Sequence, residues 1–138
     1  MTKGIPVEGD ILITTEAPLG YVALAPDFKF ALGQRVIGLK LNLNLILPSY
    51  LLACMKSQEF QDQLLTSSTG STVTGVRQSI LLECVIPLPN NDQQKKIGDF
   101  DQEINKEIKL LKTQRERVEQ LINGISFDLL SGRKRVNV

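Results

Sequence analysis

Histidine and tryptophan are absent from these 138 residues, cysteine occurs only twice, and aromatic side chains make up 5% of the chain. Each shortage excludes something. Without histidine the commonest general base is missing. The two cysteines, Cys54 and Cys84, form no CxxC pair and have no histidine to join them, so no four-ligand zinc set is present. They read as buried, reduced thiols. No apolar run approaches the ~18 residues of a membrane span. The opening Met1-Thr2-Lys3-Gly4-Ile5-Pro6 lacks the charged-then-apolar pattern of a signal peptide. The expectation is a cytoplasmic chain with no membrane contact. There is no GxSxG, no HExxH, no phosphate-loop motif and no cofactor motif for methyl transfer. Asp10, Glu16 and Glu83 stand singly, as surface or turn carboxylates do. A non-enzyme is expected, without cofactor or metal.

Neither sign of charge predominates. The net charge is +1, and it is unevenly spread. Residues 1–91 carry six Lys/Arg against seven Asp/Glu, whereas residues 92–138 carry ten against eight, helped by Arg133-Lys134-Arg135. A protein that bound DNA unaided would show a stronger basic face.

What is there divides into a head and a rod. Up to about residue 45 the chain is strand-like, in Asp10–Thr14, Gly20–Leu24 and Arg35–Leu41, with Ala17-Pro18-Leu19-Gly20 as a turn. A helix follows from Pro48, with Tyr50, Leu51, Cys54, Met55, Leu64 and Leu65 on its apolar side. A hydroxyl- and glycine-rich stretch, 66–75, leads to an expected buried strand, Leu81–Ile86, which ends at Pro87-Leu88-Pro89.

The character then changes. Asn90-Asn91-Asp92-Gln93 has the form of a capping box. From there to Ser131 no proline occurs and Gly98 and Gly124 are the sole glycines. Ile97, Phe100, Ile104, Ile108, Leu111, Val118, Ile122, Ile125 and Leu129 recur at helical spacing, with Arg115 the polar exception. Lys112–Glu116 and Arg115–Glu119 are opposite-charge pairs four apart. Gly132 sits where a left-handed helix stop belongs. A helix of about 40 residues is about 60 Å long. A 90-residue head is roughly 25 Å across, so the outer stripe requires a partner helix.

Two segments carry candidate nucleic-acid contacts. In the 66–78 stretch, Ser68, Thr69, Ser71, Thr72 and Thr74 offer hydroxyls for phosphates or base edges, and Arg77 and Gln78 have the forked geometry used against guanine and adenine. The alternative is a surface connection whose hydroxyls satisfy its own backbone. Gln34 and Arg35 form a second pair, or simply polar residues at the mouth of a strand. The Arg133–Arg135 cluster is read as complementing the helix dipole.

Taken in order, Gly9-Asp10-Ile11-Leu12, Gly33-Gln34-Arg35-Val36, Tyr50–Ser57, Thr69-Gly70-Ser71, Ile86-Pro87-Leu88-Pro89, Asp92–Ile97 and Leu129-Leu130-Ser131-Gly132 resemble the specificity subunits of type I restriction-modification systems. The resemblance covers nearly the whole chain. It implies a target recognition domain that reads one half of a split DNA site, followed by a long helix that pairs antiparallel with another as a spacer. It also implies methyltransferase subunits that bring S-adenosylmethionine and, through them, a restriction subunit; no chemistry resides in this subunit itself. Only eight residues precede Gly9, where the family has more chain, so a truncated domain, or strands supplied by another chain, is expected.

The resulting expectation is an α+β fold: a small mixed β-sheet head with a short helix, then one long C-terminal coiled-coil helix. Residues 1–89 form a partial target recognition domain, and residues 90–138 a spacer and dimerisation helix with a basic tail. The partners are DNA, methyltransferase subunits and a second copy. The alternative is a coiled-coil interaction protein or decoy that captures methyltransferase subunits without reading DNA.

Overall fold

The computed structural model describes residues 5–16, 18–68 and 78–132, with only the backbone of 67 and 68. Strands β1 (Ile11–Thr14), β2 (Val22–Leu24) and β3 (Val36–Leu39) form a sheet of order β2-β1-β3, antiparallel in both pairings. The central strand follows from period-two alternation. Ile11 and Ile13 are almost fully buried, while Leu12 and Thr14 are half-buried on the other face. Ile11 lies opposite Leu24 on one side and Leu39 on the other. The expected turn before β2 is present, with Gly20 at φ 77° donating its N–H to Thr14 O at 3.0 Å. Asp10 proves to be a turn carboxylate, accepting the Val7 N–H at 3.0 Å although it is buried.

Three helices follow where a single longer one and a strand were expected. Helix α1 (Pro48–Lys56) begins with proline at its first position, and α2 (Gln58–Ser68) starts after a one-residue break. Ser57 makes the break. Its backbone is extended, its hydroxyl donates to Cys54 O at 2.6 Å, and the same oxygen accepts the Phe60 N–H at 3.3 Å. One serine thus closes α1 and caps α2, the competition with helical hydrogen bonding that makes serine a poor interior residue.

The apolar run expected as a buried strand, Leu81–Ile86, is instead the end of helix α3 (Gln78–Glu83) and an irregular exit. Short apolar runs satisfy both periods. Here packing decides: Leu81 is buried in the core and Ile80 and Cys84 pack beside it, while Leu82 turns outward. Leu81 joins Ile11, Ile13, Leu51, Leu52, Met55, Phe60 and Leu64 in one apolar cluster between the sheet and helices. Leu65, expected on the inner side, faces outward.

Tyr50 is buried, and its hydroxyl donates to Pro87 O at 2.9 Å. Burial, with a smaller contribution from neighbouring Cys54, pushes its phenol up to about 12. Cys54 and Cys84 are free and half-buried, and burial raises both thiols.

Helix α4 runs from Asn91 to Leu130, 40 residues. Asn90 Oδ1 accepts the Gln93 N–H at 3.0 Å, as the capping motif requires. At the other end Gly132 takes φ 73° and its N–H reaches Leu129 O at 3.3 Å, the left-handed stop expected there. The chain divides into two compact units, Met1–Asp101 and Gln102–Val138, so the first three turns of α4 belong with the sheet and short helices. Within that first unit Lys56 Nζ meets Asp101 Oδ2 at 2.9 Å. Gly98 lies against the start of α1, where a side chain would collide with Ser49 Oγ and would lie 2.8 Å from Ser49 Cβ and 3.1 Å from its carbonyl carbon. No helix among the described residues is long and apolar enough to cross a membrane.

Two outcomes follow from these contacts. Because the folded phenol of Tyr50 ionises later than its ordinary 10, its own contribution to stability is fully present below pH 10 and is lost as pH rises to about 12, roughly 3 kcal/mol in all. Tyr50→Phe should remove that part of the alkaline loss in urea titrations at graded pH. Gly98→Ala, although better for a helix by about 1 kcal/mol, should destabilise by about 1–3 kcal/mol through overpacking, read as a lower urea midpoint.

Candidate functional site

Periodicity builds the largest candidate surface. Ile97, Ile104, Leu111, Val118 and Ile125 recur every seven residues, and Ile108, Ile122 and Leu129 every seven or fourteen, so the side chains line one stripe of α4. All are exposed: Ile104 by 42%, Leu111 by 60% and Ile125 by 61%. Phe100 is exposed too, and Leu121 widens the stripe. Arg115, the polar member, is held by its own helix, with Nε 2.8 Å from Glu119 Oε1. Such an exposed pair is worth only a few tenths of a kcal/mol, about 0.2–0.5. The ion pair nevertheless keeps the guanidinium beside the stripe.

The polar candidates fall on two different elements. Gln34 and Arg35 are exposed just before β3. Arg35 Nε meets Glu16 Oε2 at 2.8 Å, and Arg35 O accepts the Thr15 N–H at 2.9 Å. The backbone bond fixes where Arg35 stands. The ion pair is solvent-exposed on both sides, so it is weak and screened by salt, leaving the guanidinium available to a stronger anion. Gln78 is exposed at the first position of α3, and Ser68 closes α2. Thr69, Ser71, Thr72, Thr74 and Arg77 lie outside the described residues, as does the basic tail from Arg133. The hollow between α2 and α3 has the wrong sign for a phosphate, since Glu59, Asp62 and Glu83 line it with Gln63, Thr66 and Cys84. No group of three or more His, Cys, Asp or Glu among the described residues is placed to hold a metal.

Sequence reasoning passed over the residues that hold α4 at its seat. Gln94 is buried to 1% exposure. Its Oε1 accepts the Leu47 N–H at 2.9 Å, and its Nε2 donates to Leu45 O at 3.1 Å and Pro89 O at 2.9 Å. An uncharged polar residue one turn into a helix that carries charges on both sides was the available signal, but its partners lie up to 49 residues away.

Comparison with known proteins decides the family. The type I restriction modification DNA specificity domain matches residues 2–120. This chain belongs to that family. It is 32% identical over 115 residues to the type I restriction enzyme MjaIX specificity subunit of Methanocaldococcus jannaschii, covering 83% of this chain and 26% of that protein. It is 28% identical over 127 residues to the putative MjaX specificity subunit of the same organism, covering 92% and 29%. Two solved structures share the fold. One is a chain from a study of complex assembly and conformational transition of the type I R-M system, with TM-score 0.76 and 20% identity, covering 100% of this chain and 33% of that one. The other is the HsdS subunit from Thermoanaerobacter tengcongensis, with TM-score 0.65 and 20% identity, covering 88% and 32%. The specificity chain described here therefore spans about a quarter to a third of the length of the proteins it matches.

Proposed function

We propose that this specificity-family chain is a non-catalytic recognition and assembly piece of a type I restriction-modification complex. Residues 1–89 act as a partial target recognition domain that reads one DNA half-site. Residues 90–138 act as the spacer, which pairs with a second copy and docks methyltransferase subunits. Those subunits bring S-adenosylmethionine, and a restriction subunit joins through them. The observation that carries this reading is the uncovered stripe on α4. A strict seven-residue repeat suits a left-handed supercoil with another helix, and water is a poor environment for so many adjacent aliphatic side chains. A second copy supplies an identical stripe at no cost in further sequence.

On the polar side, Gln34, Arg35, Ser68, Thr69, Ser71, Thr72, Thr74, Arg77 and Gln78 are proposed as the DNA-facing set. Arg35 and Arg77 supply bidentate geometry, and the hydroxyls supply phosphate contacts. The near-neutral head fits a division of labour in which neighbouring methyltransferase subunits provide much of the phosphate contact.

A second reading is favoured by the same charge balance and by the acidic hollow between α2 and α3. In it the chain captures methyltransferase subunits through α4 and reads no DNA.

Replacing both Ile104 and Leu111 by Asp should convert the dimer into monomers in multi-angle light scattering, with circular dichroism still helical for the head; unchanged dimer mass contradicts the pairing. Fluorescence anisotropy of a duplex panel with chain and methyltransferase subunit together separates the two readings. Sequence-dependent binding that Arg77→Ala or Gln78→Ala weakens by about 1–3 kcal/mol supports half-site reading. Capture of the subunit with no DNA contribution supports the second.

A further inference from the structure

The first three turns of α4 are not held by apolar packing alone. Apart from Gly98, Gln94 is the one residue of α4 that is buried among those described, and it is polar. Both of its N–H donors and its carbonyl oxygen go to backbone groups of other segments: the Leu47 N–H at the start of α1, Leu45 O just before it, and Pro89 O in the chain that leads into α4. Leu47 is the residue immediately before α1, so its N–H has no helical partner of its own, and Gln94 supplies one. One turn further on, Gly98 has no side chain where Ser49 of α1 presses closest. A glutamine clamp on Leu45 and Leu47 and a glycine notch against Ser49 therefore meet neighbouring residues at the start of α1.

We propose that Gln94 is a positioning residue: it locks the start of the spacer helix onto the N-terminus of α1 in one rotational and axial setting. The setting is directional because an amide side chain both donates and accepts. Rotating α4 by one residue about its axis, roughly 100°, would carry the amide away from all three partners at once. Apolar packing, which is non-directional, does not impose such a setting. In the reading of the head as a half-site reader, on which the functional part of this inference rests, the clamp transmits the spacer's geometry to the DNA-facing segments. Loosening it then relaxes the distance at which two half-sites are accepted, without altering the sequence read in either.

The clamp is tested on the chain itself by pulsed electron–electron spin resonance. Spin labels are attached through ketone-bearing residues at positions 27 and 96, so that Cys54 and Cys84 stay native, and labelled chain is diluted with unlabelled. The native chain should give one narrow distance distribution. Gln94→Leu, which fills the same space without the three hydrogen bonds, should broaden it while circular dichroism reports a folded chain. Leu81→Ala, which loosens the core elsewhere, should leave it narrow. An unchanged distribution in Gln94→Leu overturns the proposal, and Gln94→Ala gives the same reading if the leucine variant fails to fold. The functional arm uses chain assembled with its methyltransferase subunit on duplexes whose mapped half-sites are set one base pair closer or farther. Gln94→Leu should bring the methylation ratio between the preferred and neighbouring spacings toward unity. A native ratio that Gln94→Leu leaves intact overturns the spacing role. A native chain with no spacing preference refutes the half-site reading instead, with the resonance result still deciding the clamp.

Discussion

An amphipathic helix of 40 residues draws most of its stability in water from whatever covers its apolar stripe, and in this chain α4 carries that demand. Isolated helices draw little from propensity, and most of their stability comes from packing one face. In α4 the stripe from Ile104 to Leu129 faces solvent, and its single polar member, Arg115, is tied to Glu119 on the same helix. The caps at Asn90 and Gly132 fix where the helix starts and stops. They do not supply the missing burial. In the proposed pairing a partner helix does.

The head solves a different problem. Among the described residues its sheet has three short strands, and its core is one modest cluster of eight buried residues. Side-chain amides complete what the sheet cannot. Gln61 Nε2 donates to Gly20 O and Met55 O, joining the β1–β2 turn to the end of α1. Gln63 both donates to Val85 O and accepts the Val85 N–H, pairing with the chain after α3 as a strand would. Gln94 does the same for the segments around α1. The groups met by Gln61 and Gln94 are part-buried, where an unmet one costs about 1–3 kcal/mol, whereas the Gln63 pair is exposed.

Local chemistry was readable from the residues and distant chemistry was not. All three strands fall inside the segments marked by branched residues, and Gly20, Asn90 and Gly132 do what their types dictate, because a turn or cap is decided within four residues. The α4 stripe was legible since forty residues of one period leave little choice. Ser57 was missed because a serine in a helical pattern is tolerated as often as it breaks one. The Leu81–Ile86 run was assigned to the wrong period, since six residues cannot separate a helix from a strand and the deciding contact, Leu81 in the core cluster, is tertiary. The amide clamps were invisible because each has a partner 22 to 49 residues away. Of the proposed DNA-facing set, the sequence names residue types suited to base edges, while the structure places Gln34 and Arg35 before β3 and Gln78 at the start of α3.

Amide hydrogen exchange along α4 as a function of protein concentration tests the central claim most directly. If the stripe is covered by a second helix, amides beyond Asp101 should be strongly protected at high concentration and lose protection on dilution, while amides of the core strand β1 keep theirs. Protection beyond Asp101 that is independent of concentration in a chain of monomer mass, with no partner added, would contradict the account.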